Sequence, residues 1–431
     1  MAKLRWNPAR FLFWGLVCLP SLSGCSILTK QRFIDPGFQG RNPSEVKILA
    51  EVEPQRMSLK LAQLRVPSAI SQAAKAGPFR GLSETDCVVA AANASTSGRL
   101  LDAKAQQCSQ QQCSQGVPPS SPHCRNPAAP PDLRTEILRV AALEARNRSA
   151  AGGLELFYRL ELAHAQREVL QDSLATVAGA LEDRDRLLAQ GMTIPVPLDE
   201  LRQQSFDLKF RLGELDHAVA RLSNELKDLL SLGPQGEPWL VWPLAEVRVD
   251  THPIDVEAAV QIGLARRPEV GLLRRLDSMQ SSDTMRALQL SLSMVNPLLG
   301  MSCGSSALSR RTMPLFRHSR GNESEDLASL RSLWDIYRQA REQEIAKEIR
   351  SAALDVQASL EQIIVANGRL RHWEARIGQI KAGEAGGVMS ALEQTQAELR
   401  RLDALAALWK SIADWQVAVA HLQREQFSLM P

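Results

Sequence analysis

The sequence predicts a mainly α fold: two repeats of a long antiparallel coiled-coil-like helical hairpin, with a short or degenerate β-barrel contribution before each. Three observations predict it. The first is a heptad pattern that occurs twice. Leu156, Leu160, Ala163, Leu170, Leu174, Val177, Leu181 and Leu188 fall in steps of four and three, with Arg167 and Arg184 in the missing slots. The pattern stops at residues 191–197 and restarts through Leu201, Leu208, Leu212, Leu215, Val219, Leu222, Leu226 and Leu229. Further on, Ile345, Ile349, Ala352, Val356, Ile363, Ala366, Leu370, Trp373, Ile377 and Ile380 lead to residues 383–387, and Leu392 to Leu422 return. A seam repeating every 3.5 residues needs another helix to cover it. The second observation is that each pattern breaks at a glycine-containing tip. The third is composition: 5% aromatic residues with abundant Leu, Ala, Glu, Gln and Arg favours long helices over sandwiches.

Taken in order, residues 1–24 read as a lipoprotein signal peptide. Lys3, Arg5 and Arg10 precede the short apolar run Phe11 to Leu22, which ends in Leu22-Ser23-Gly24-Cys25. That order matches a bacterial lipobox, with Cys25 as the lipid attachment site. An ordinary secretory peptide with an incidental cysteine is the other reading. Ser26 follows, without the aspartate that retains lipoproteins in the inner membrane. The expected location is therefore the outer membrane, lipid-anchored and mostly periplasmic. Residues 25–43 form a tether. Residues 44–133 combine a helix, with Ser44 as N-cap and residues 47–66 as its body, with a Cys-, Ser- and Pro-rich irregular insert from about Gly77.

The first hairpin occupies 134–233 and ends at Gly233-Pro234. Residues 234–326 connect. Within them 239–242 and 247–249 are short extended candidates, Ile254 to Arg266 and Pro268 to about Leu290 are helices, and 293–325 is a second irregular stretch. The second hairpin fills 327–431. Its last helix carries two seams: Leu402, Ala406, Trp409 and Ala413 on one, Leu405, Leu408, Ile412, Trp415, Val419 and Leu422 on the other. Two seams let helices pack side by side into a wall. Arg167 and Arg184 are expected to snorkel, or to pair with acids on a neighbouring helix, rather than to face a water-filled interior.

Of seven cysteines, Cys18 leaves with the signal. Disulfides among Cys87, Cys108, Cys113 and Cys124 are one reading in an oxidising compartment, and unpaired loop thiols another. Cys108, Cys113, His123 and Cys124 fit no standard zinc spacing, so no metal is expected. A net charge of +3 over 431 residues gives no reason to expect nucleic acid. Scattered histidines and the lack of a nucleophile or phosphate motif argue against an enzyme, and no cofactor is expected.

The helix order resembles TolC-family outer-membrane efflux proteins, in their lipid-anchored branch. The motifs that carry this are Gly191 through Leu198-Asp199-Glu200-Leu201, Gly383 through Leu392-Glu393, Asp228 to Gly233, and Arg266-Arg267-Pro268-Glu269. The resemblance implies a homotrimer whose hairpins close into a periplasmic duct. It implies a periplasmic adaptor protein and an inner-membrane pump as partners, for export of small molecules (drug or metal) or protein. Docking would fall at the tips: Gly191, Met192, Thr193, Leu198 and Asp199, then Gly383, Gly386, Gly387 and Leu392. One departure stands out. Between 66 and 133 there is no ten-residue alternation of the kind a membrane strand needs. A lipid-anchored periplasmic scaffold that has lost its pore is therefore the second expectation.

Overall fold

The structure is a computed structural model. It describes residues 59–60, 79–114, 133–191, 198–233, 239–244, 247–249, 253–278, 323–383 and 388–429. The elements are β1 (Leu59–Lys60), β2 (Phe79–Ser83), α1 (Glu84–Ala94), α2 (Thr96–Ser114), α3 (Leu133–Ala189), α4 (Leu198–Leu230), β3 (Leu240–Leu244), β4 (Val247–Arg248), α5 (Val256–Arg266), α6 (Pro268–Ser278), α7 (Glu323–Ala382) and α8 (Val388–Gln426). The fold is mainly α, as the heptads predict. Two pairs of very long helices, α3/α4 and α7/α8, carry it. No described helix is long and apolar enough to cross a membrane.

Two compact units are built from interleaved segments of the chain. One comprises residues 1–33, 104–141 and 268–339. Its described core holds Ile137 and Val140 from the start of α3, Leu272, Leu273 and Leu276 from α6, and Trp334 from α7. Arg275 Nη1 bonds Glu136 Oε1 at 2.7 Å. Burial still raises the Glu136 carboxyl above its ordinary value, outweighing the pull of Arg275 and Arg139.

The other unit comprises residues 34–103, 142–267 and 340–431. Its contacts run in a chain from α4 to α3 to α8 to α7. Phe157, Leu160 and Ala163 of α3 share one core with Val219 and Leu226 of α4 and with Ala420 of α8. Val169 of α3 joins Leu360, Ile363 and Leu370 of α7 and Leu402, Leu408 and Ile412 of α8 in a second. The expected doubling of seams on α8 is present: Leu402, Trp409 and Ala413 are buried, and so are Leu408, Ile412 and Leu422. Along α7 the seam Ile345, Ile349, Ala352, Val356, Ile363, Leu370, Ile377 and Ile380 is buried. Ala346, Ala353, Leu360 and Ala366 widen that buried stripe, while Leu354, Ile364 and Val365 face outward.

Around the far end of the hairpins, strands and short helices close the core. β2 and β3 pair in parallel, Phe79 with Leu240 through to Ser83 with Leu244. Val241 N donates to the buried Ser223 Oγ of α4 at 2.8 Å. Arg80 and Lys227 both lie over the ring of buried Trp239, at 4.7 and 4.9 Å. The C-terminal end of α8 is clasped by side chains. Asn147 Nδ2 donates to Arg424 O at 3.0 Å, Gln426 Nε2 to Ala259 O at 3.3 Å, and Arg267 Nε to Glu425 O at 2.7 Å. The Asn147 and Arg267 donors satisfy carbonyls that the end of α8 leaves open, while Gln426 reaches from α8 to a carbonyl of α5. Gly263 of α5 makes this possible, because a Cβ there would collide with Ile349 Cδ1.

Two expectations are corrected. Leu59–Lys60 is not the body of a helix from 47 to 66. It is a strand paired in parallel with Val247–Arg248, and tertiary pairing overrides the local helix signal there. The rest of that proposed helix lies outside the described residues. Residues 79–114 are not irregular. Ser83 Oγ accepts from Asp86 N at 3.1 Å to start α1, and the alanine run Ala90–Ala92 packs in the core. α2 is built of Ala, Leu, Lys, Arg and Gln, good helix formers whatever their polarity. Among the described residues the strands form two parallel pairs and no closed barrel. Residues 115–132 and 279–322, where barrel strands were sought, lie outside the described residues.

Candidate functional site

The candidate site is the pair of hairpin tips and the shaft that carries them. α3 ends when Gln190 N donates to Arg186 O at 3.2 Å and Gly191 N donates to Leu188 O at 2.9 Å. Gly191 has φ +77°, a left-handed conformation that closes the helix and favours glycine. Nothing lies within 4 Å of the place a Cβ would take, so the requirement is conformational and not steric. Met192 and Thr193 lie outside the described residues. α4 opens with Leu198, Asp199 and Glu200, and two acids in its first turn complement the positive helix end. Asp199 is exposed.

The second tip is built more simply. Gly383 N donates to Gln379 O at 3.0 Å and Ile380 O at 3.1 Å, finishing α7. A Cβ at Gly383 would meet only ordinary contacts. Gly386 and Gly387 lie outside the described residues, and Leu392 lies in α8. Below the first tip the helix surface is charged. Asp183 and Arg186 pair at 3.1 Å with both side chains mostly exposed, and Arg184 reaches Asp185 at 3.5 Å.

The two hairpins are level with each other. Glu161 Oε2 of α3 accepts from Gln416 Nε2 of α8 at 3.2 Å. Glu161 precedes the end of α3 by as many residues as Gln416 follows the start of α8. His421 Nε2 and Glu155 Oε2, 4.0 Å apart, repeat the match further from the tips. Arg167 pairs with Asp216 of α4 at 2.5 Å, the cross-helix pairing expected of it. Closer to the tip, Arg401 of α8 holds Glu398 at 2.6 Å, with Glu374 of α7 and Asp172 of α3 acting on the same guanidinium.

Several residues that sequence reasoning passed over proved buried. His164 is 3% exposed, with its ring 4.6 Å from Trp242 and 6.0 Å from Phe79. Burial first, and then Arg167, lowers its pKa to about 4, so it is neutral. Glu161 is 2% exposed and is pushed up to about 7, chiefly by burial. Glu144 is also raised by burial, against the pull of Arg148, Arg424 and Arg267. Arg267, flagged within the Arg-Pro-Glu turn, is buried and bonds Glu348 at 3.2 Å and also Glu425. In sequence that turn showed where a helix starts; its arginine proves to bind the middle of α7 and the end of α8.

Among the described residues Cys87 and Cys108 enter no disulfide and are free thiols. Cys87 is fully buried on α1, with burial raising its pKa. Its sulfur would lie 3.5 Å from a Cβ placed on Gly153, so it serves as small apolar packing. Cys108 and Cys113 both lie on α2. Five residues of helix separate them by an axial rise of about 7.5 Å, beyond the ~7 Å a disulfide spans. Cys25 and Cys124 lie outside the described residues. Among the described residues no cluster of His, Cys, Asp or Glu could hold a metal ion.

No protein-family model matches this chain, and no curated protein matches it in sequence. Solved structures do. The chain is similar to CusC, from crystal structures concerned with folding and transmembrane channel formation. There the identity is 16% and the TM-score 0.47, over 80% of this chain and 95% of that one. It is similar to the Campylobacter jejuni CmeC outer membrane channel at 13% identity and TM-score 0.47, over 80% and 85%. The open state of the Neisseria gonorrhoeae MtrE outer membrane channel matches at 12% identity and TM-score 0.43, over 80% and 88%.

Proposed function

We propose that this chain is the outer-membrane channel component of a tripartite efflux or secretion system. It acts as a trimer whose hairpins build a periplasmic helical duct, anchored by lipid on Cys25. The observation that carries the reading is the incomplete coverage of the outer helices. α3 and α8 are packed from several sides, whereas α4 leaves Phe206 and Phe210 at 65% and 69% exposure, four residues apart on one face. α7 likewise leaves Leu354, Ile364 and Val365 exposed opposite its buried seam. Two edge helices with apolar side chains facing out suit lateral packing on further copies of the chain. The level tips, at Gly191 with Met192, Thr193, Leu198 and Asp199, and at Gly383 with Gly386, Gly387 and Leu392, are the ends a periplasmic adaptor would grip. Conduction through such a duct needs no catalytic residue and no cofactor. The energy would come from an inner-membrane pump, whose binding sites would also set the cargo: drug, metal or protein.

Deletion in the native host tests this through dye accumulation and susceptibility to drugs and metals. Increased retention of at least one compound is expected, restored by the intact gene. Unchanged accumulation across the panel would overturn transport.

A second reading has its own observation. The described strands are two short parallel pairs, which suit a lipid-anchored periplasmic helical scaffold without a pore. Conductance in planar bilayers separates the two. Discrete channel openings support the duct, and a silent membrane supports the scaffold.

A further inference from the structure

We propose that the Glu161 carboxyl is a proton-dependent latch between the two hairpins, closed while it carries its proton and loosened when it ionises. The geometry that supports this is a carboxyl sealed between helices. Glu161 lies on α3, and its Oε2 accepts a bond from the Gln416 amide across on α8. Its other oxygen, Oε1, is buried with no hydrogen-bond partner. The core around it holds Leu160 and Ala163 of its own helix, Val219 and Leu222 of α4, and Val417 and Ala420 of α8.

Each neighbouring element offers little to a negative charge. From α1 the charge that acts on Glu161 is that of Glu84, which is itself negative. Glu84 already accepts the hydroxyl of Tyr158, less than one turn before Glu161 on α3. α8 presents the neutral amide of Gln416, with His421 directed to Glu155 instead. α4 presents hydrocarbon. Arg167, further along α3, is engaged by Asp216. A neutral carboxyl fits this setting. An ionised one leaves a charge in hydrocarbon with one amide donor and a like charge nearby, at the junction of the hairpins. Burial places the change near pH 7, so the junction responds around neutrality. The proton goes to solvent, and no other group need change. The latch belongs to the folded chain and does not rest on export.

Hydrogen exchange on the purified full-length protein in detergent tests the latch. With a folded value near 7 and an ordinary carboxylate value after opening, linkage predicts about a tenfold fall in amide protection around Gln416 between about pH 6 and pH 8.5, after correction for intrinsic exchange. Glu161→Gln keeps the amide geometry and removes the proton, and its protection should not change with pH over that range. Gln416→Leu removes the donor that supports the ionised form, so its fall should move to higher pH. An equal fall in wild type and Glu161→Gln would overturn the latch, as would no fall in wild type. If Glu161→Gln does not fold, a Gln416→Leu transition at the wild-type pH overturns it. Loss or retention of dye efflux leaves these readings unaffected, so the latch and the duct fail separately.

Discussion

At a similar depth below the tips, the two hairpins are built from different chemistry. Along α7 and α8 the buried side chains are mostly hydrocarbon, as at Leu360, Ile363, Leu408 and Ile412, with the neutral amide of Gln416 the polar group that meets Glu161. On α3 they include Glu161, His164 and Ser173, whose hydroxyl turns back to the Val169 carbonyl at 2.8 Å. Hydrocarbon packing is insensitive to pH and needs no partner. Buried polar groups need partners and bring proton linkage. The second hairpin is therefore the less pH-sensitive of the two, and the first is the place where pH can act.

The largest expected effect tests the second hairpin. Ile412→Ala removes a fully buried side chain at the centre of the second core and should destabilise by about 2–5 kcal/mol. Chemical denaturation at several pH values should give the same loss at each. A loss that varied strongly with pH would blur the distinction between the hairpins.

The next test concerns the first hairpin, where two groups oppose each other. Glu161 has a folded value raised to about 7, so its contribution is full below its unfolded value and is lost as pH rises towards 7. His164 has a folded value lowered to about 4, so its contribution is full above its unfolded value and is lost as pH falls towards 4. Between about pH 4.5 and 6.5 the two nearly cancel, each amounting to about 3 kcal/mol at most. Wild-type stability should be nearly flat across that window from these groups. Glu161→Gln should unmask the histidine, and stability should climb with pH. A flat profile in the variant would remove His164 from the account.

Smaller effects belong to the tips. Gly191→Ala places a side chain in a left-handed conformation with open space around it, for a cost of about 1–2 kcal/mol in thermal unfolding. Gly383→Ala places a Cβ among ordinary contacts only, and a smaller loss is expected. Arg186→Ala breaks an exposed pair with Asp183 and should change stability by less than about 0.5 kcal/mol, within the error of most melts.

The hairpins were legible because a heptad repeat is a long signal that no single residue can spoil. Ile345 to Ile380 read as a seam and are one. β3 was legible as a short apolar run, though its parallel partner 160 residues earlier was not, since pairing at that distance leaves no local mark. α2 was missed because Gln and Ser resemble loop composition while Gln still suits a helix. Glu161 and His164 were missed for a different reason. Beside the seam residues Leu160 and Ala163 they occupy positions that a two-helix hairpin would leave wet. Glu161 is buried because α8 covers a second face of α3, and His164 because Phe79 and Trp242 of the β2–β3 pair cover it, which no heptad count on α3 alone reveals.

The central claim is that the exposed stripes of α4 and α7 meet on neighbouring copies to close a duct. The mass of the detergent-solubilised full-length protein, measured by light scattering with the detergent subtracted, tests it most directly. Three copies are predicted, falling to monomers when Phe206 and Phe210 are both changed to Asp while helix content is kept. A wild-type protein that remains a stable monomer at every concentration would contradict it.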